Sequence, residues 1–193
     1  MCPTMSTNIS WLITSIKMNN TAQLPPNSLT FIALANEYCQ AIENIREMDR
    51  NTFVSTMLKL LPRLYIVVTD MNDGISEANA EMQFALDEQT YDHARELMSA
   101  VMGEADVYLE VFEEDMKYSD TPIAVTVSEN LADLYQEFFN LIYSVKDADT
   151  DAQLQLLLQC KENFKEYWGQ TLCNVMRALH AISCESLDTE NNY

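Results

Sequence analysis

Gly74, Gly103 and Gly169 are the only glycines in a chain of 193 residues. All-β folds place glycine at tight turns, and phosphate-cradling loops need it for close backbone approach. A chain with so few has little choice but to be helical. Its composition agrees with one packed domain: 48% of residues are apolar and 21% charged, which is ordinary for a globular protein and too apolar for a disordered one. The length suits one domain with a real core.

The apolar spacing predicts five main helices. The first runs from about residue 28 to 48, capped by Ser28, with Phe31, Leu34, Ala35, Tyr38, Ile42 and Ile45 inward. The second covers about 51–70, capped by Asp49 or Asn51, and buries Phe53, Met57, Leu60, Leu61, Leu64 and Val68. Pro62 lies inside it and predicts a kink or break, because proline lacks the N–H and crowds the preceding turn. Residues 71–86 read as an irregular acidic connection. Asp87 caps a third helix that stops at Gly103. Residues 104–126 are ambiguous: Tyr108, Phe112 and Met116 fit a helical face, whereas Val107, Leu109 and Val111 alternate as a strand would. Thr126–Glu129 and Thr150–Gln153 have the spacing of capping boxes. They open a fourth helix, to about residue 146, and a long last helix, to about Cys184. The last stripe repeats near 3.6 residues, which favours a globular bundle over a coiled coil. Gly169, in mid-helix, predicts a close helix crossing. The expected fold is therefore an all-α single-domain bundle with a long C-terminal helix. Residues 1–27 are expected to be a disordered leader, with Met18 as an alternative natural start, 28–185 the helical domain and 186–193 a flexible tail.

Charge is the extreme property: 30 acids against 11 bases leave −19. Fifteen of the acids and only Arg95 and Lys117 among the bases fall within residues 70–120, so that quarter of the chain carries −13. Such a surface repels nucleic-acid phosphates and anionic membranes and attracts basic protein surfaces. Solubility alone could also select it. The apolar stretch Ile9–Ile16 is too short to span a bilayer and has no basic residue before it. The five cysteines form no Cys-x-x-Cys pair. They read as free, mostly buried thiols of a reducing compartment, hence a cytoplasmic protein.

The motifs that resemble chemistry fail on their missing parts. Asp147–Asp151 begins like a calcium loop, but Ala152 and Leu158 stand where its glycine and bidentate glutamate belong. Asp70–Gly74 followed by Glu81 has its glycine one place early. His93 and His180 are the only histidines, and neither follows a glutamate by three residues, which argues against a ferritin-like di-iron site. They are too few for a conventional His-based zinc site. No Gly-x-Ser-x-Gly turn is present. His180 reads as a hydrogen-bonded core histidine, Trp168 as core and Tyr167 as rim. No metal, cofactor or catalytic residue is assigned. The segment 113–122 is the one place that suggests function, since it clusters carboxylates with Lys117, Tyr118, Ser119 and Thr121 on an expected loop.

Two stretches, YLEVFEEDMKYSDTPIAVTVSENLADLYQEFFNL (108–141) and ENFKEYWGQTLCNVMRALH (162–180), resemble a family of bacterial proteins known only as a domain of unknown function. The resemblance is weaker over 29–67 and the third helix. It implies a small helical bacterial domain and carries over no activity, ligand or functional residue. The expected function is a cytoplasmic interaction protein that offers its acidic face to a basic protein partner, with no direct nucleic-acid or membrane binding. The expected partner-binding residues are Glu110, Glu113, Glu114, Asp115, Lys117, Tyr118 and Asp120. An enzyme or small-molecule binder with a pocket beside 113–122 is the alternative, and a carboxylate-only buffer of divalent cations a third reading.

Overall fold

The computed structural model describes residues 24–72, 78–110 and 123–190, with side chains described through residue 184. The chain is an all-α domain with one small hairpin. Its helices are α1 (Pro26–Glu43), α2 (Arg50–Thr69), α3 (Glu88–Met102), α4 (Val127–Val145), α5 (Thr150–Asn163) and α6 (Gly169–Glu190). Strands β1 (Val107–Glu110) and β2 (Ile123–Thr126) pair antiparallel with Val107 opposite Thr126 and Glu110 opposite Ile123. The ambiguity at 107–110 is thus resolved as strand.

The inward stripes expected of α1 and α2 are all buried, and so is the helical stripe of α4, Leu131, Leu134, Tyr135, Phe138, Leu141, Ile142 and Val145. Phe31 of α1 and Phe138 of α4 meet at Trp168, which is fully buried. Its indole stacks on Phe31 at 6.1 Å and meets Phe138 edge-on at 5.2 Å and Phe164 at 4.6 Å. The indole N–H donates to the Cys160 carbonyl at 3.0 Å, so the ring's polar edge is satisfied inside the core. Tyr38 does the same with its hydroxyl, which donates to the Leu131 carbonyl at 2.8 Å and ties α1 to α4. By length and hydropathy α2 could cross a bilayer. Here its apolar stripe lies in the core, while Lys59 and Arg63 face solvent.

Several local expectations are corrected. Of the kink or break expected at Pro62, the break does not occur: the chain runs helical through it. The first helix starts at Pro26, and Ser28 is a buried residue inside it; no side chain caps that end. Asp149, not Thr150, caps α5, accepting from the Ala152 N–H at 2.9 Å. Gln153 instead reaches back to donate to the Val145 carbonyl at 2.9 Å, which fastens α5 to the end of α4. The long last helix is α5 and α6 joined by a π-helical turn, Phe164–Trp168, and it continues to Glu190. Gly169 is buried directly after that turn. A Cβ there would lie 2.5 Å from the Phe164 carbonyl oxygen and 2.8 Å from its ring, so glycine is required by the π turn itself. Asp49, Asp87 and Thr126 cap their helices as expected. Gly103, at φ 58°, terminates α3.

Candidate interaction surface

The acid-rich quarter of the chain is built around α3, and its described residues separate into three parts. The first is the segment that precedes α3. Residues 78–86 have no regular structure, yet their backbone is held by side chains of α4 and α5. Asn140 Oδ1 accepts the N–H groups of Ala85 and Leu86 at 2.9 and 3.0 Å. Ser144 gives its proton to the Asn140 carbonyl at 2.7 Å and accepts the Gln83 N–H at 2.9 Å. Gln159 donates to the Ala80 carbonyl at 2.9 Å. Asn140 and Ser144 are one turn apart on α4 and both buried, so they form a fixed ledge for the segment. Leu86 is buried and Met82 packs on the core, but Phe84 between them is 91% exposed.

The second part is α3 itself. Ala94, Met98 and Met102 face inward. Glu88, Asp92 and Glu96 repeat every fourth residue and so share one row, with Glu88 and Glu96 exposed. Asp92 accepts from Arg95 at 3.2 Å, and Arg46 donates to His93 Nε2 at 3.0 Å. Like charges at that spacing cost a helix about 0.2–0.5 kcal/mol per pair. The helix is pinned to the bundle by Asp133 of α4, which accepts the hydroxyls of Tyr91 at 2.7 Å and of Tyr167 at 2.8 Å. Burial, and then that carboxylate, push Tyr167 up to about 12 and Tyr91 higher still. Both phenols therefore stay protonated as donors, and Asp133 acts as a fastener between α3, α4 and the π turn.

The third part is the hairpin that follows α3. Its inner face is polar and anchored: Tyr108 accepts from Asn130, and Glu110 accepts from Asn174 of α6. Burial, with the Glu110 charge beside it, raises the Tyr108 hydroxyl. The outer face carries Val107 and Leu109, 62% and 55% exposed, with exposed Ala124 opposite Leu109.

Of the seven residues the sequence nominates, Glu110 is described. It is half-buried, and its carboxylate is held by Asn174. Glu113, Glu114, Asp115, Lys117, Tyr118 and Asp120 lie outside the described residues, as do Asp73–Glu77 and the leader stretch Ile9–Ile16. Asp106, counted among the fifteen acids, is not on the surface. It is buried and accepts both the N–H and the hydroxyl of Ser128 at 2.8 Å, which anchors the first turn of α4. His180 is exposed, against the core role expected of it; its Nε2 lies 3.8 Å from the Cys184 sulfur. Cys39 and Cys160 are buried, while Cys173 and Cys184 are exposed. Among the described residues no three His, Cys, Asp or Glu side chains are arranged to hold a metal ion. Phe84 was missed. Its one sequence signal is a lone large aromatic in an irregular acidic stretch.

These features define an acidic, single-domain helical protein whose solvent face has charged and apolar groups side by side. The chain belongs to the family described as Domain of unknown function (DUF5063), whose model matches residues 22–185. Among solved structures it is similar to the protein BF1032 from Bacteroides fragilis, a structural-genomics target. Identity is 32%, the match covers 81% of this chain and 92% of that one, and the TM-score is 0.71. No curated protein matches.

Proposed function

We propose that this chain is a cytoplasmic interaction protein that binds a basic protein partner through the surface centred on α3. One observation carries the reading: the like-charged row of Glu88, Asp92 and Glu96 has uncovered apolar groups at both ends of its helix, Phe84 at one and Val107 and Leu109 at the other. Self-repulsion and uncovered apolar surface both cost free energy in an isolated chain. A partner with interspersed lysine, arginine and apolar residues relieves both at once, with apolar contacts at the centre and charges setting choice and encounter rate. Glu113, Glu114 and Asp115 lie between β1 and β2 in sequence and add to the same run of charge. The acidity argues against a nucleic-acid backbone as the ligand, because such binding depends on lysine and arginine.

The test is a quadruple reversal, Glu88→Lys, Glu96→Lys, Glu113→Lys and Glu114→Lys, used in affinity capture from the native cell with mass spectrometry. The reversed chain keeps its helical circular dichroism and loses the wild-type partners. Capture by the wild type weakens steeply with salt, since exposed charges act over about 8 Å at physiological ionic strength. Equal capture by both chains at high salt would defeat the reading. The second reading, a small-molecule site beside 113–122, is favoured by the half-buried polar groups Tyr108, Glu110 and Asn130 and the buried Asn174 at the root of that segment. It predicts capture that survives the reversal and is lost in Asn174→Leu.

A further inference from the structure

We infer that Phe84 is a preformed docking anchor that enters an apolar pocket rimmed by lysine and arginine on the basic partner; the inference rests on the function proposed above and names the contact that function uses. Large apolar side chains left in solvent are common enough singly. What distinguishes Phe84 is how firmly the backbone beneath it is held. The Ala85 N–H also reaches the Gln83 carbonyl at 3.1 Å, which closes a three-residue turn with Phe84 at its apex. No residue other than glycine has positive φ among those described, so this is the relaxed inverse form of the turn. The Asn140 and Ser144 ledge accepts the amides on both sides of the apex, and buried Leu86 and packed Met82 anchor the flanks. The ring at 91% exposure is therefore projected by a fixed backbone.

That arrangement is what an interface anchor needs. The ordering cost of the segment is met by the fold before any partner arrives, so burial of the ring is not offset by immobilising the chain. Aromatic anchors that fill a pocket dominate many interfaces. The surroundings say what rim the pocket has: residues 80–88 hold Glu81, Asp87 and Glu88 and no lysine or arginine, and all three acids are exposed. An apolar pocket ringed by bases is complementary on both counts, and one ringed by acids is refused.

The experiment places a benzophenone amino acid at position 84 of the full chain in the native cell, and at exposed Ile66 of α2 as the control. The crosslink from position 84 is expected on a partner segment whose apolar residues are flanked by lysine or arginine, and the control does not give it. Phe84→Ala, at a solvent position, keeps the melting temperature and weakens that partner's binding by about thirtyfold, the scale of an anchor residue; Phe84→Trp retains binding. If Phe84→Ala binds as wild type, or positions 84 and 66 give the same products, the anchor is overturned. A partner lost on charge reversal but kept by Phe84→Ala leaves the proposed function standing without this anchor. A partner kept by both variants removes both.

Discussion

Gly169 and Asp106 show how much a single position can hide. A helix-propensity argument says that Gly169→Ala stabilises by about 1 kcal/mol. The added methyl would have to occupy space 2.5 Å from the Phe164 carbonyl oxygen. The clash outweighs propensity, and Gly169→Ala is expected to cost a net amount on the order of 1–3 kcal/mol in a urea melt; a neutral result would mean that the π turn relaxes to α-helix at no cost. Asp106 counts toward the acid run in the sequence but holds the first turn of α4 through Ser128. Asp106→Ala leaves the buried Ser128 N–H without its acceptor and the Ser128 hydroxyl with only Thr126 Oγ1 at 3.3 Å, and is expected to cost roughly 1–3 kcal/mol. An unchanged denaturation midpoint would place Asp106 with the surface acids after all. Local sequence could not separate Asp106 from Glu104, because the partner that buries it lies 22 residues away.

Among the elements, the inward stripes were legible, and so were the caps at Asp49, Asp87 and Thr126, because both depend on short-range spacing. The errors occurred where a distant contact chose between local equals. Asp149 and Thr150 are adjacent residues of good capping type; Asp149 is the cap, and Gln153 is engaged with the Val145 carbonyl in place of a capping box. The π turn is the other case. The sequence spacing puts Leu154, Leu157, Leu158, Phe164, Trp168, Leu172, Val175, Leu179 and Ile182 on one stripe; Trp168, Leu172, Val175 and Leu179 are buried, whereas in α5 the buried apolar residues are Leu156, Leu157 and Cys160, and the turn absorbs the change of phase before Trp168. Its entry carries a titratable group. Glu137 accepts from Asn163 at 3.0 Å, and burial holds its carboxyl above the usual range. A folded state with a raised carboxyl pKa binds the proton more tightly than the unfolded chain. Glu137 therefore favours folding in acid, and that contribution is lost as pH rises through the folded pKa. Glu137→Gln is expected to gain melting temperature relative to wild type across that rise and to show no gain below the ordinary carboxylate range. A gain independent of pH would show that packing, and not titration, is responsible.

For the molecule as a whole, the acid bias of residues 70–120 is plain from the sequence, but the shape of the surface that carries it is not. Phe84 is held outward by Asn140 and Ser144, and the hairpin's inner face is turned toward α4 and α6 by Asn130 and Asn174; none of these partners is close in sequence. The proposed function requires the exposed acids of α3 to serve a partner and not to hold the fold together. Neighbours in the Glu88, Asp92 and Glu96 row are one helical turn apart, about 6 Å, well inside the screening length of roughly 10 Å at 0.1 M salt. The most direct measurement is the thermal melt of Glu88→Lys/Glu96→Lys beside wild type at low and high salt, with no partner present. The reversed chain is predicted to melt at or above wild type in low salt, with the difference closing as salt screens the row. A reversed chain that melts several degrees lower at every salt concentration would show that these carboxylates hold the fold together, and the acidic surface would no longer be free to serve a partner.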